Sequence, residues 1–421
     1  MSLAQHRRSA THSRSSAVLS SIPLAPTFFG TLQTSTAHAS DEYNAGLRIA
    51  MFELNWSAYE TTQGNFNATY IAQMQAQLQT LKNAGFKVTI GLGTHYTPSW
   101  AASTGGLIYM TDQAGLSSSV YGVYNFVFSQ HMRTLAEAYI TRVHQDFGLN
   151  NFRTIRVASA GRAELLYPEG PSFGYTYWGF DSAAQTGVGL ATGQSVCPSP
   201  GWIPGGADTS ITTVQVQAWF DWYLGSLVNT AKWQMDFCDS KGFTGGYEIL
   251  TPGSGIRPSG YTPAVNAYLP LGNSAGVGSA WQKIYQLMPN KSRATVYCSS
   301  VADGSGGDDY TLQSDANLVI TDTTMDSWSA ARWQCRVAKE YSMKMGGENP
   351  GYNQPASINA KYVDTSANGL MAKTFQQIIG GKFNYFYWAH DDRLWDGTLP
   401  FSNYATNVAT VLNGTQPGTP T

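Results

Sequence analysis

The chain has 421 residues, of which 42% are hydrophobic and 12% are charged, and its formal net charge is −2. This length is sufficient for a large core, either in one big domain or in two ordinary ones. The small net charge gives no indication of electrostatic binding to nucleic acid, so no nucleic-acid partner is expected. The 12 Trp and 24 Tyr residues, together with the low charge, are typical of secreted carbohydrate-active proteins and also of large β proteins.

The first 39 residues are interpreted as a leader. They contain arginines but no acid, a mildly apolar stretch (AVLSSIPLAPTFFGTL), and a small-x-small pattern ending at Ala39. These features predict a signal peptide and an extracellular location, with a disordered N-terminal tail as the alternative. No other stretch approaches the roughly 20 apolar residues that span a membrane, so no membrane partner is expected. Residues 40–412 then form the main domain, and residues 413–421 (NGTQPGTPT) a disordered tail.

Strand-like and helix-like segments alternate through the main domain. The strand-like segments are LRIAMFELNW, KVTIGLGTHYTPSW, FRTIRVASAGRAELL, GGYEIL, ATVYCSS, NLVITDTT, SMKMGGEN and NYFYWAH. Amphipathic segments such as YIAQMQAQLQTLKNAGF separate them, and Gly85 marks the end of that helix. About eight such units predict an α/β fold, a (β/α)8 TIM barrel with long βα loops on the catalytic face. A doubly wound open sheet is the alternative, but no GxGxxG or Walker loop follows the first strand.

In a TIM barrel the reactive residues lie where strands end and βα loops begin. Carboxylates and aromatic residues are concentrated at these positions, and the longest insertion, about residues 167–204, adds further aromatics. The candidates are Trp56, His95, Tyr96, Trp100, Glu164, Tyr167, Trp178, Glu248, Glu348, Asn349, Trp388, His390 and Asp391. They lack the Cys/His density of a transition-metal site and any serine nucleophile elbow, so neither a metal nor a cofactor is implied. The four cysteines are not in CxxC spacing, and their pairing stays open.

Two of the candidates predict the chemistry. Glu164 ends FRTIRVASAGRAE and Glu348 ends SMKMGGE, so each follows a strand and a glycine-containing turn. Cleavage of a glycosidic bond requires two carboxyl groups on opposite sides of that bond. About three to four βα units separate the two glutamates, so both can face one barrel mouth. For either glutamate alone, a salt bridge within a loop is the alternative, and Glu248 is the main rival to Glu348.

The sequence also resembles known glycoside hydrolases over most of residues 47–395. AMFELNWSAYETTQGNFNATYIAQMQAQLQTLKNAGFKVTIGLGTHYTPSW is similar to the opening of family 42, the β-galactosidase-like barrels of clan A. ASAGRAELLYPEG resembles the general-acid segment of family 14, the β-amylases. GGENPG and YWAH are similar to the seventh and eighth strand ends of clan A enzymes. No one family fits throughout.

The resemblance implies a role for three residues of this chain. Glu164 would be the acid/base, Glu348 the nucleophile, and Trp388 a platform for the sugar. Clan A normally has Asn before the acid/base, whereas this chain has Ala163. The position of the first strand stays open: it lies within residues 20–45 if FELNW is the second strand. If FELNW is the first strand, NLVITDTT must be a barrel strand.

The sequence therefore predicts a secreted glycoside hydrolase with residues 40–412 as its catalytic domain and carbohydrate as its partner. A retaining β-glycosidase mechanism is expected, in which Glu348 attacks and Glu164 transfers the proton. The alternatives are an inverting, β-amylase-like glucan hydrolase and a catalytically silent carbohydrate-binding barrel. The other candidates would bind sugar through hydroxyl contacts or through stacking of sugar C–H faces on aromatic rings.

Overall fold

The structure is a computed structural model that describes residues 28–159, 163–169, 176–272, 274–302, 313–349 and 356–412. The predicted tail, residues 413–421, lies outside the described residues, as do residues 1–27 of the predicted leader.

Eight parallel strands form one sheet that closes into a barrel. The strands are β1 (Phe28–Thr31), β2 (Ile49–Glu53), β5 (Lys87–Gly91), β6 (Thr154–Val157), β7 (Gly246–Thr251), β8 (Ala294–Cys298), β9 (Lys344–Asn349) and β10 (Tyr385–Trp388). Their order in the sheet is β1-β10-β9-β8-β7-β6-β5-β2. The Arg48 N–H donates to the Phe29 carbonyl at 2.9 Å, which brings β1 beside β2. A separate hairpin consists of β3 (Glu60–Thr62) and β4 (Asn65–Phe66). The predicted (β/α)8 fold is confirmed.

Helices surround the barrel. They are α1 (Ala39–Asn44), α2 (Trp56–Tyr59), α3 (Ala68–Ala84), α4 (Gln130–Phe147), α5 (Ser182–Thr186), α6 (Thr213–Ser240), α7 (Pro258–Asn266), α8 (Trp281–Leu287), α9 (Ala330–Glu340), α10 (Ala356–Val363), α11 (Leu370–Gly381) and α12 (Phe401–Val411). Local sequence fixes several ends: the Asn67 side chain caps α3, and Gly85 ends that helix with a φ of 102°. None of the helices in the described part of the chain has the length and apolarity that a membrane span needs.

The structure answers the question of the first strand. β1 lies within the segment that the sequence analysis assigned to a leader, so Phe28–Thr31 are a strand of the barrel. The NLVITDTT segment, residues 317–324, is not a barrel strand: 3₁₀ turns at Gln313–Asn317 and Thr323–Ser327 overlap its two ends, and no strand lies between them. β1 is short, and its backbone comes closest to β2 at Gly30. A Cβ on Gly30 would lie 2.1 Å from the Ile49 carbonyl oxygen, so only glycine fits at this seam.

This count makes β2 the second barrel strand, β6 the fourth, β9 the seventh and β10 the eighth. Glu164 thus follows the fourth strand and Glu348 lies at the end of the seventh. Because parallel barrel strands all end at one face, both glutamates belong to the same end of the barrel.

Side chains alternate between the barrel interior and the layer under the helices. Ile49, Met51, Tyr297, Tyr385 and Tyr387 pack together as one buried cluster inside the barrel. Their neighbours in the strands belong to the larger core between the strands and the helices. This alternation, which has a period of two, decides which strand-end residues reach the mouth.

Two long βα segments cover the carboxyl end of the barrel on one side. Isolated bridges join Asp112 to Trp178 and Ser129 to Leu190, so the segment after β5 packs on the segment after β6. Long βα loops at the carboxyl end of the barrel were predicted from the sequence, and these two segments agree with that prediction. The four cysteines are all buried, and no disulfide joins them in the structure.

Candidate active site

A cavity of about 580 Å³ opens at the carboxyl ends of the barrel strands. We call it the barrel pocket. Its lining includes Leu32, Gln33, Met51, Glu53, His95, Tyr96, Arg156, Ala163, Leu250 and Glu348. Of the residues predicted from sequence, His95, Tyr96 and Glu348 line the pocket directly. Ala163, the residue before Glu164, also lines it.

Glu348 faces the pocket because it pairs in register with Tyr387, another inward-facing residue. Its side chain is 13% exposed, and its Oε2 accepts a hydrogen bond of 2.7 Å from the Tyr297 hydroxyl. The pKa of Glu348 is raised, mainly by burial and to a smaller extent by Glu248. Arg156 and the Tyr297 hydroxyl oppose this rise. The two stabilising partners therefore hold a buried carboxylate in place at the mouth of the barrel.

The next residue, Asn349, points the other way. It is fully buried, and its Oδ1 accepts a hydrogen bond of 3.1 Å from the Ala302 N–H. The structure does not bring this candidate to the pocket.

Arg156, which the sequence analysis did not select, connects the pocket to the barrel interior. Its Nε lies 3.1 Å from Glu248 Oε2, and its Nη2 lies 3.9 Å from Glu348 Oε2. Its guanidinium also lies over the Tyr297 ring, 4.7 Å from the centroid. Glu248 is completely buried beneath the pocket, and Thr89 Oγ donates to its Oε1 at 3.4 Å. Glu248 thus holds Arg156, and it does not line the pocket as Glu348 does.

Glu53, at the end of β2, is a second carboxylate in the lining of the pocket and was missed by the sequence analysis. Its side chain is 32% exposed, yet its Oε1 is buried and has no hydrogen-bond partner among the described residues. Burial raises the pKa of Glu53 to about 7, Arg156 opposes that rise, and Glu248 and Glu348 add to it. The signal was present in IAMFE, because strand alternation places Glu53 on the same face as Ile49 and Met51.

His95 and Tyr96 lie side by side on a 3₁₀ turn after β5, with ring centroids 4.0 Å apart. His95 Nε2 is 3.9 Å from Glu53 Oε1. Burial, and then the nearby Arg156, lower the pKa of His95 to about 4. The imidazole is therefore neutral near pH 7 and offers one donor and one acceptor. Tyr96 is 42% exposed at the pocket wall.

Glu164 is half-buried and follows β6 after a short loop. The Ser159 N–H donates to the Glu164 carbonyl at 3.2 Å, and the Leu165 N–H donates to the Leu250 carbonyl at 3.0 Å. These bonds fix the backbone on both sides of Glu164 beside β7. Ala163 adopts a φ of 60°, a left-handed conformation that is uncommon for alanine.

Most of the predicted sugar-stacking aromatics are core residues. Trp56, Tyr167, Trp178 and Trp388 have no exposed surface. Trp56 stacks on Tyr139 at 4.8 Å, and Tyr167 stacks on Tyr223 at 4.0 Å.

All three of these indoles, and Trp100, donate their N–H groups within the fold, and Trp56 Nε1–H donates to Glu60 Oε2 at 2.8 Å. Trp178 Nε1–H donates to the Pro168 carbonyl, and Trp388 Nε1–H donates to the Tyr362 hydroxyl. Trp100 is half-buried and donates to the Glu60 carbonyl at 2.9 Å. Of the aromatic residues predicted to stack on sugars, Tyr96 is in the lining of the pocket described above. The others are not: Trp56, Trp100, Tyr167, Trp178 and Trp388.

His390 and Asp391 lie beside the loop after β1. Asp391 is 2% exposed, and its Oδ1 accepts a hydrogen bond of 2.8 Å from the Gln33 N–H. The carbonyl of His390 accepts a 3.3 Å hydrogen bond from the Tyr362 hydroxyl. Asp391 therefore contacts the wall of the pocket from behind, and neither of these two predicted sugar ligands is in the lining described above.

The fold is similar to that of several solved glycoside hydrolases. The catalytic domain of a β-amylase from Paenibacillus polymyxa matches with a TM-score of 0.58 and 14% identity, over 92% of this chain and 99% of that domain. A β-galactosidase from the haloarchaeon Halorubrum lacusprofundi matches with a TM-score of 0.55 and 11% identity, over 92% of this chain and 58% of the other. A β-galactosidase from Marinomonas ef1 gives a TM-score of 0.51 and 12% identity, over 86% and 54%.

These matches confirm the predicted likeness to barrel glycoside hydrolases at the level of the fold. This chain spans little more than half the length of the two β-galactosidases. No family model matches the sequence, and no curated protein matches it. Membership of family 42 or family 14 stays a prediction.

Proposed function

We propose that the protein is a glycoside hydrolase that acts on oligosaccharides or polysaccharides in the barrel pocket. The observation that carries this proposal is the position of Glu348, at the end of the seventh strand, facing the pocket and held by Tyr297 and Arg156. Glu164, in the segment that follows the fourth strand, would supply the second carboxyl group at the same end of the barrel.

In the proposed retaining mechanism Glu348 is the nucleophile. Tyr297 binds Oε2 of Glu348, so Oε1 attacks the anomeric carbon. Glu164 protonates the oxygen of the leaving group in the same step, and the glycosidic bond breaks. Glu164 then removes a proton from water, which attacks the anomeric carbon and releases Glu348.

Glu53 and His95 are proposed to bind hydroxyl groups of the sugar in the cleaved subsite. Glu53 Oε1 is a buried acceptor without a hydrogen-bond partner among the described residues, and sugar hydroxyls are donors. Neutral His95 beside it can donate to a hydroxyl and accept from another. A pyranose would thus satisfy polar atoms that the pocket leaves unpaired.

Inversion is the alternative mechanism for the same pair of glutamates. The carboxyl groups are roughly 5–5.5 Å apart in retaining enzymes and roughly 6.5–9.5 Å apart in inverting ones. The similarity to a β-amylase over nearly that whole domain supports keeping this alternative. A silent carbohydrate-binding barrel is the second alternative.

The decisive experiment is hydrolysis followed by ¹H NMR of the first product formed. The substrates are p-nitrophenyl β-galactoside, p-nitrophenyl β-glucoside and maltotetraose. A β-glycoside that yields the β-anomer shows retention, and maltotetraose that yields a β-sugar shows inversion. Sugar binding without hydrolysis of any substrate would identify the silent barrel. Glu340→Gln, on the outer surface of α9, is the control for Glu348→Gln.

We also propose that the protein is exported. The arginines and the absence of acid at the N-terminus support this proposal. β1 adds a condition, because cleavage after Ala39 would delete a strand of the closed barrel. Mass spectrometry of the N-terminus of material from the culture medium tests this proposal, and cleavage before Phe28 is expected. A chain that begins at residue 40 should fail to fold, whereas one that begins at Thr27 should fold.

A further inference from the structure

The loop after β1 brings an exposed amide side chain to the pocket. Leu32 and Gln33 both line the cavity, and Gln33 is exposed. Glu53 belongs to the adjacent strand β2, so Gln33 and Glu53 line the same side of the pocket. An amide has two N–H donors and an oxygen acceptor, which suits a pair of neighbouring sugar hydroxyls.

The backbone on both sides of this amide is held from β10 and the turn that follows it. The Leu32 N–H donates to the Trp388 carbonyl at 2.9 Å. The Gln33 N–H donates to Asp391 Oδ1 at 2.8 Å, and Asp391 is almost completely buried. A hydrogen bond to a buried carboxylate is stronger than one to a neutral acceptor, so Asp391 fixes the start of the Gln33 side chain.

The far side of the loop is fixed from β2. Thr34 Oγ donates to the Thr31 carbonyl at 2.6 Å and accepts from the Met51 N–H at 3.2 Å. Thr31 Oγ donates to Glu42 Oε2 at 2.9 Å. Gln33 is therefore an exposed side chain on a backbone that is held on both sides, a combination that favours binding over mere solvation.

We propose that Gln33 is a substrate-binding residue that recognises two neighbouring hydroxyls of the sugar, and that Asp391 is its positioning residue. This inference rests on the proposed function, since it takes the ligand of the pocket to be a sugar. Asp391 acts through the backbone of the loop after β1, because its bond to the Gln33 N–H and its burial keep it behind the pocket wall.

The test combines kinetics with direct binding. The KM and kcat of Gln33→Ala, Asp391→Ala, Asp391→Asn and the Gln33→Ala/Asp391→Ala double variant are measured on whichever glycoside the wild type hydrolyses. Calorimetric titration with glucose, galactose and their single-deoxy analogues reports binding without hydrolysis. Asp392→Ala is the matched control, because the neighbouring Asp392 side chain is 67% exposed. Circular dichroism melting separates loss of fold from loss of binding.

Loss of one hydrogen-bonded contact predicts a rise in KM of about tenfold for Gln33→Ala, with kcat within about twofold. Asp391→Ala should raise KM to a similar extent, Asp391→Asn should restore most of the affinity, and the double variant should be no worse than either single variant. At least one deoxy sugar should bind wild type about tenfold more weakly, and Gln33→Ala should remove that difference.

Other results overturn the proposal. If Asp391→Ala lowers only the melting temperature, Asp391 is structural. If the glycoside is hydrolysed and Gln33→Ala leaves KM unchanged, the role of Gln33 fails while the proposed function stands. If sugars bind and Gln33→Ala weakens their binding, but no glycoside is hydrolysed, the catalytic function fails and Gln33 keeps its role. If no sugar binds and none is hydrolysed, both fail.

Discussion

The inward and outward sides of the strand ends carry different chemistry. The inward side has Glu53, Arg156 and Glu348, which are charged groups that face the pocket. The outward side has residues such as Asn349 and Trp388, which are fully buried against the helices. Neighbouring positions in one strand thus have opposite surroundings, and a single residue of register separates a candidate for catalysis from a residue of the core.

Tyr387 and Trp388 show the same contrast in one strand. Tyr387 lies inside the barrel, where its hydroxyl is 2.8 Å from Thr89 Oγ. Trp388 packs in the outer layer against Tyr362 and Tyr404. A large aromatic residue at a strand end is therefore not by itself a sugar platform. Its side chain must also lie on the side of the strand that faces the pocket.

The largest effect is expected at Glu348, the inward residue with the proposed chemical role. Glu348→Gln should lower kcat by at least about 10⁴-fold, because an amide is a poor nucleophile, while the fold is kept. Single-turnover hydrolysis and circular dichroism measure the two effects. A variant that retains a tenth of the wild-type rate would transfer the role to another carboxylate.

An outward residue should show the reverse pattern. Trp388→Ala should cost about 4 kcal/mol of unfolding free energy, because it leaves a cavity in the outer core. Urea denaturation measures this cost. Tyr387→Phe, one position away, is the control and should cost much less. If Trp388→Ala folds normally and loses sugar affinity, the distinction between the two sides fails.

The charged interior gives a third test. Arg156→Leu should cost about 3 kcal/mol, because it leaves Glu248 buried without its cationic partner. Adding Glu248→Leu should recover part of that loss, since no buried charge then remains unpaired. Denaturation of the single and double variants gives the coupling between them, and full additivity would contradict a pair that acts as a unit.

Glu53 predicts a pH dependence of stability. Its pKa is raised to about 7 in the fold, so the fold binds the proton more tightly than the unfolded chain does. Glu53 therefore favours the folded state at low pH, and this contribution is lost as the pH rises from about 4.5 to about 7. Between pH 5 and pH 8, the unfolding free energy of Glu53→Gln should rise by on the order of 1 kcal/mol relative to that of wild type. A difference between the two proteins that does not change with pH would contradict the raised pKa.

The smallest effect is expected when phenylalanine replaces Trp178, a buried tryptophan of the segment after β6. Trp178→Phe removes the hydrogen bond to the Pro168 carbonyl and should cost about 1 kcal/mol of stability. Its KM for the glycoside should equal that of wild type. Thermal melting and steady-state kinetics measure the two, and a tenfold rise in KM would return Trp178 to the binding site.

The sequence by itself determined the barrel and the end of it at which the pocket lies. The alternation of strand and helix predicts βα units, and Glu164 and Glu348 each follow a strand-like run of the sequence. Both features are local, since they depend on periodicity and on residues next to one another in the chain. The resemblance to barrel glycoside hydrolases likewise agrees with the solved structures of similar fold.

Only the tertiary structure decided the first strand and the composition of the pocket. Phe28–Thr31 is too short to stand out from an apolar N-terminal stretch, and it becomes a strand through pairing with β10 across the whole chain. Glu53, Arg156 and Gln33 meet Glu348 because the ring closes, which no local pattern reports. Trp56 and Trp388 face the core for the same reason, since burial depends on the side of the closed sheet on which a residue falls.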